Sequence, residues 1–396
     1  MARTRPGTSL RQRTTVACFF GRRRRGPGYR SLSAVVSSAR GPRGGRRCSF
    51  CARQACIRPQ SLAPRLSRPP FGAAALNFTF RAFMAQDFSN RPMDPTELKN
   101  RLDALYASYN RVDSATDPIH IVRRFEDPAD REVVGFCSAA LAFGRVAAVL
   151  QSIERLLVLT GPSPARFIRE FEPRRQRAAF KGLVHRWTRG EDLVALIVIL
   201  QQMLERGSIE AFFLDGYDPA APDLSAALES FSERALAIDQ SDAYHDRQCH
   251  PGVAYFFPRP SSGSGCKRLN LFLRWMVRKD AVDFGLWTRV PAAKLIIPLD
   301  THVIRVGRCL RLTRYTSPGW KMAADITASL RRLDPGDPVK YDFSLCHIGM
   351  ADQCGFNREQ GDSLCPLTGL CHSRRRGGRR RAPDKPPASS RPSDRR

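Results

Sequence analysis

From Asp94 onward the apolar residues recur every three or four positions, the spacing that gathers them on one face of a helix. Asp94-Pro95-Thr96-Glu97 reads as an N-cap, a proline at the first helical position and an acid at the third. Leu98, Leu102, Leu105 and Tyr106 then mark one face. Asp127-Pro128-Ala129-Asp130 repeats the start signal before Val133, Val134, Phe136, Cys137 and Leu141, and Gly144 marks a bend or a close approach. Further helices are predicted near 146–159, 164–171, 174–188, 191–206 and 222–237, and later over 301–312, 317–333 and 337–350. The segment 238–265, with His245, His250, Pro258 and Pro260, reads as loop. The longest apolar run, Leu193 to Leu200 (LVALIVIL), falls far short of the ~20 residues a bilayer needs and reads as a buried core helix. Alternating strand patterns are almost absent. The predicted fold class is all-α, about ten helices joined by mostly short connections.

Composition changes this picture at the two ends. The net charge of +28 suggests a polyanionic partner, but it is unevenly spread. Residues 1–90 hold 18 Arg and one acid (+17), and residues 372–396 hold 10 basic and two acidic residues (+8), which leaves +3 for residues 91–371. GRRRRGPGYR and ARGPRGGRR have no hydrophobic period and cannot offset the entropy of folding. The chain therefore divides into a disordered Arg-rich extension (1–92), a helical domain (93–371) and a disordered basic tail (372–396). The extension reads as a start placed ahead of the true one at Met84 or Met93, with an organelle presequence as the alternative. Cys48, Cys51 and Cys56 have no fourth ligand nearby at zinc spacing. The twelve Cys are scattered and no secretory signal stands in the sequence. A reducing compartment such as the cytoplasm is expected, with no membrane association.

The stretch Ser262–Val306 carries the candidate chemistry. Gly263-x-Gly265 allows a tight turn and leaves N–H groups uncovered, which attract a phosphate oxygen at a helix start. Lys267 follows directly. In the next helix Leu269, Phe272 and Met276 point to the core, while Lys267, Arg274 and Arg278 share another face. Lys267 and Arg268 also suit the start of a plain solvated basic face. Asp300 stands directly before THVIRVGRCL, well placed as an N-cap, and Leu295–Leu299 (LIIPL) buries the approach to it. A rigidly held cap carboxylate is also one whose ionised form is favoured.

Gly263-Ser264-Gly265-Cys266-Lys267 resembles the G-x-G-x-K hairpin of the helix-hairpin-helix DNA glycosylases, the endonuclease III superfamily. Leu299-Asp300-Thr301-His302-Val303 with Arg305-Val306 resembles the V-D-T-H-V-x-R-V motif of the same superfamily. The wider block KRLNLFLRWMVRKD, DFGLW and LIIPLDTHVIRV resembles a family of bacterial conserved hypothetical proteins, over roughly residues 94–371. The pattern departs in three places. The 33-position separation of Lys267 and Asp300 is about twice the usual one, and DAVDFGLWTRV reads as an inserted loop, similar to an archaeal 8-oxoguanine glycosylase branch. Pro258-Arg259-Pro260 replaces the leucine-proline lead into the hairpin. The superfamily's terminal C-x6-C-x2-C-x5-C cluster pattern lacks its second ligand, where Gly361-Asp362-Ser363-Leu364 stands.

The resemblance implies a helix-hairpin-helix glycosylase-like fold and a base-excision glycosylase/AP lyase acting on DNA. Lys267 would be the nucleophile and Asp300 the carboxylate that stabilises positive charge on the sugar and assists proton transfer. Gly263, Gly265, Arg268, His302 and Arg305 would contact DNA. Phe256, Phe257 and Trp287 are the candidate base pocket, with a plain core role as the alternative. The substrate leans towards an oxidised purine. No cofactor is expected; a metal or iron–sulfur cluster would draw on Cys346, Cys354, Cys365 and Cys371. His120, His185 and His347 read as structural. The alternatives are a non-catalytic helix-hairpin-helix DNA-binding protein and a helical scaffold for a protein partner.

Overall fold

Two aspartate–proline pairs start helices where the pattern places them. In the computed structural model Asp94 accepts from the Thr96 N–H at 2.9 Å and opens α1 (Pro95–Tyr109). Asp127 accepts from the N–H groups of Ala129 and Asp130 at 2.8 and 3.1 Å and opens α2 (Pro128–Ala140). Each cap satisfies donors that the first helical turn leaves without a partner. The structure describes residues 94–112, 117–244, 251–350 and 365–370. The two tails, His245, His250, and the cysteines at 48, 51, 56, 354 and 371 lie outside the described residues.

The next long helices are α3 (Val146–Thr160), α4 (Gly190–Glu205) and α5 (Ser225–Leu236). They are followed by α6 (Lys267–Val277), α7 (Thr301–Cys309), α8 (Trp320–Arg331) and α9 (Asp342–Met350). Helix α4 carries the apolar run, buried at every residue from Leu193 to Leu200 except the half-buried Val198. No described helix is long and apolar enough to cross a membrane. The class is all-α, as the pattern predicts.

The helix predicted over 174–188 does not form. One turn (Pro173–Gln176) and a 3-10 turn (Arg177–Phe180) lead to Gly182, whose φ of +91° leaves the helical region. The chain then doubles back as an antiparallel ribbon, β1 (Val184–His185) against β2 (Thr188–Arg189), the only sheet among the described residues. Gly190 closes it, since a Cβ there would lie 2.2 Å from the Phe180 carbonyl oxygen. Three short helices stand where loop is predicted or no element is: Ile209–Leu214, Ser241–Tyr244 and Pro251–Ala254.

Helix α6 lies against α2 so closely that a Cβ on Gly135 would meet the Met276 methyl at 2.9 Å. Helix α7 lies against α9, where the His302 ring covers Gly349, and against α8, where Ile326 covers Gly307. Lys267 and Asp300 thus begin two helices held by different neighbours.

The basic face predicted for α6 is corrected by the structure. Arg274 and Arg278 are buried, 2% and 3% exposed. Asp283 binds both: Arg274 at 3.2 Å and Arg278 at hydrogen-bond contact. Asp342 on α9 binds Arg274 at 2.5 Å, and Asp280 and Asp337 each bind Arg278 at 2.9 Å. Buried charges persist only when paired in this way. Arg123 also donates to the carbonyls of Ala281 and Val282, at 3.0 and 2.6 Å. The segment read as an inserted loop is therefore fastened to the interior from several sides.

Candidate active site

Asp300 caps α7 as predicted, with Oδ1 accepting from the His302 N–H at 2.9 Å. Its other oxygen, Oδ2, lies 2.7 Å from Lys267 Nζ. The two residues, 33 positions apart, form an ion pair with side-chain exposures of 34% and 19%. Lys267 Nζ also donates to the Ala142 carbonyl at 3.4 Å. Burial raises the Asp300 carboxyl, but the Lys267 ammonium and the His302 N–H outweigh it, so its pKa lies below the ordinary carboxylate value. Asp300 is a carboxylate at neutral pH, facing an amine that can still be reached from outside.

The hairpin holds this pair in place. Gly263 has φ +80° and ends a 3-10 turn over Pro260–Ser262. Gly265 faces Leu299, the residue before Asp300, and a Cβ there would come within 3.1 Å of it. Gly319 approaches from the other side. Its own Cβ would lie 2.6 Å from the Gly263 carbonyl oxygen, which accepts from the Trp320 N–H at 3.1 Å. Cys266, in the left-handed region at φ +46°, turns the chain into α6. Burial pushes its thiol up to about 12, and that of Cys137 likewise. Iodoacetamide at pH 8 is therefore expected to leave Cys137 and Cys266 unmodified until the protein is unfolded, as peptide mass mapping would show. Alkylation of Cys266 in the native protein would mean that the hairpin is not seated as described.

A cleft of about 460 Å³ opens at Lys267, lined also by the hairpin, Ala142, Phe143, Tyr255, Pro258, Leu299, Pro318 and Gly319, with Asp300 next along the chain from Leu299. A neutral amine here has room to reach an electrophilic carbon, with a fixed anion beside it to stabilise developing positive charge.

The other predicted residues fare differently. Arg268 is 7% exposed and turned inward, donating to the carbonyls of Ala140 and Tyr255 and lying 3.6 Å from the Tyr255 ring centroid. It braces the cleft wall. Phe256, Phe257 and Trp287 do not line the Lys267 cleft: at 0%, 1% and 3% exposure they are buried, and Phe257 and Trp287 pack with the core rings of Phe136, Phe213, Phe231 and Phe272. Trp287 Nε1 is spent on Glu132 at 2.8 Å. The aromatic rings that do line the cleft are Phe143 and Tyr255, with Trp187 behind them at 4.9 and 5.0 Å between centroids. These come from three separate segments, and the one local signal was the short His185-Arg186-Trp187 run between two glycines, Gly182 and Gly190.

His302 is half-buried against α9, and Arg305 is exposed on α7. Cys346 lies 3.9 Å from Asp300 Oδ1 and 3.8 Å from Met350 Sδ, and burial together with Asp300 raises its thiol pKa. Cys365 is buried, whereas Cys354 and Cys371 are outside the described residues. No group of three or more metal-ligating side chains occurs among the described residues. His185 is structural, bonded to Ser152 at 2.8 Å and to the Phe143 carbonyl at 3.0 Å.

The described chain is thus an all-α protein in which two central helix starts bring a lysine and an aspartate together, with the lysine lining a cleft. Residues 117–351, more than half of the chain, match the family described as Protein of unknown function (DUF2400), and the chain belongs to that family. No curated protein and no solved structure matches it.

Proposed function

We propose that this protein is a helix-hairpin-helix DNA glycosylase/AP lyase that attacks the sugar of a damaged nucleotide with Lys267. The observation that carries this reading is the 2.7 Å approach of Asp300 Oδ2 to Nζ of Lys267, a residue that lines an open cleft. In the proposed reaction the neutral Lys267 amine bonds to C1′ of the sugar, and the base departs with the electrons of the glycosidic bond. Asp300 stabilises the cationic sugar in between. Ring opening and loss of the nitrogen proton give a Schiff base, and removal of a C2′ proton then expels the 3′ phosphate. The damaged base, taken here as an oxidised purine, must leave the stack to bring C1′ to the amine.

The test is incubation of the full chain with a duplex carrying an abasic site, followed by borohydride. Wild-type protein is expected to give a covalent adduct that survives denaturing electrophoresis, and Lys267→Ala none. DNA binding without an adduct would replace this reading by a non-catalytic DNA-binding protein. An adduct of equal yield in Lys267→Ala would move the chemistry to another amine.

A further inference from the structure

The β1–β2 ribbon ends in a two-residue tip, Arg186–Trp187, and that tip faces outward. Trp187 is 50% exposed, the only aromatic residue among the exposed large hydrophobic side chains of the described residues. A single exposed apolar side chain is ordinary, but tryptophan is enriched at interfaces because its ring is apolar and its N–H can be wet. This one is held firmly. Phe143 stacks on it at 4.9 Å with the rings 30° apart, and Tyr255 meets it edge-on at 5.0 Å. Phe143 and Tyr255 line the Lys267 cleft, and Ala142, next to Phe143, accepts from Lys267 itself. Behind them His185 ties the ribbon to α3 and to the Phe143 carbonyl, and Arg268 lies over the Tyr255 ring.

Arg186 adds two further observations. Its φ is +56°, a left-handed conformation where glycine or asparagine is usual in a ribbon turn. Such backbone strain gathers at functional sites. Its side chain crosses Gly144, where a Cβ would stand 3.0 Å from its guanidinium, and lies 5.4 Å from the Trp187 ring centroid. Arg145, Arg186 and Arg189 are exposed and make no ion pair among the described residues. A flat ring half open to solvent, with the exposed Arg186 guanidinium 5.4 Å from its centroid, matches a ligand that is planar at one end and anionic at the other.

We infer that the Arg186–Trp187 tip is a stacking platform for an unpaired nucleobase at the mouth of the cleft, with Arg186 on the adjoining phosphate. The inference rests on the nucleic-acid reading above but not on Lys267 being a nucleophile. A base stacked on Trp187 would stand beside the strand position whose sugar lies over Lys267. Paired bases are covered by their neighbours, so the platform discriminates in favour of single-stranded, bulged or ejected bases.

The test compares a labelled duplex containing one bulged thymine with its fully paired counterpart, by anisotropy at one fixed salt concentration. Wild-type full-length protein is expected to prefer the bulged duplex. Trp187→Ala is expected to lose about tenfold in affinity for it, with a much smaller change on the paired duplex. Trp187→Phe, which keeps a ring, is expected to recover most of the loss. Arg186→Ala is expected to weaken both duplexes and to flatten the salt dependence. An equal loss on both duplexes in Trp187→Ala, or none on either, overturns the platform. Binding to phosphatidylglycerol vesicles with no preference between the duplexes would overturn it in favour of a membrane contact. The borohydride adduct is scored separately on wild-type protein. An adduct without Trp187 dependence sinks the platform and leaves the lysine chemistry, and a Trp187-dependent preference without an adduct does the reverse. Failure of wild-type protein to bind either duplex ends both.

Discussion

Asp300→Asn is expected to slow adduct formation on an abasic duplex about 10²- to 10³-fold, the usual effect of removing one fixed electrostatic partner from an active site. The substitution is nearly isosteric. An asparagine carbonyl can still accept from the His302 N–H, so the start of α7 survives and DNA affinity should hold. What is removed is the negative charge 2.7 Å from Lys267. Stability offers a second check with a definite sign. The Asp300 pKa is lower in the folded protein than its ordinary value of 3.8, so its contribution is complete above that value. It is lost as pH falls through the lower folded value. The Asn variant lacks this contribution, so the gap between it and wild type should narrow as the pH falls from 3.8 through the lower folded value. Single-turnover trapping rates decide the matter: an Asn variant that traps at the wild-type rate would leave Asp300 as a helix cap and nothing more.

The largest expected effect on stability is at Asp283, far from solvent and bonded to both Arg274 and Arg278. Asp283→Ala leaves two buried guanidinium groups short of one carboxylate. Breaking a buried ion pair by deleting one partner costs about 3–5 kcal/mol. For a domain of this size that corresponds to a fall in Tm of about 10 °C. Differential scanning calorimetry measures it directly. A variant melting within about 2 °C of wild type would mean that Asp280, Asp337 and Asp342 suffice, or that water reaches the cluster. The prediction bears on function as well, since Asp342 belongs to the helix that packs against α7 and hence against Asp300.

Local chemistry was legible in the sequence, and contact between distant segments was not. Asp94, Asp127 and Asp300 announce helix starts because a cap acts on donors two or three residues away. The lysine and aspartate were found through their short motifs, and their meeting across 33 residues follows from how α6 and α7 are held. The errors share one cause. Arg274 and Arg278 read as a face apart from the core because all four of their carboxylates, Asp280, Asp283, Asp337 and Asp342, lie beyond the end of α6 and outside its period. Phe256, Phe257 and Trp287 read as a pocket because an aromatic residue beside a motif looks the same whether it faces the cleft or the core. The 174–188 segment is rich in good helix formers, and only Gly182 and Gly190 record that the chain turns back there.

The glycine seam between the hairpin and α8 extends the motif itself. Gly263 and Gly319 are 56 positions apart, yet neither can be understood without the other, because backbone meets backbone where they touch. A search pattern limited to G-x-G-x-K admits every loop that happens to carry two glycines and a lysine. Extended by a distant P-G-W, read here at Pro318-Gly319-Trp320, it selects chains in which the hairpin has a surface to close against. Such a two-part pattern would separate true relatives from chance matches before any of their structures is known.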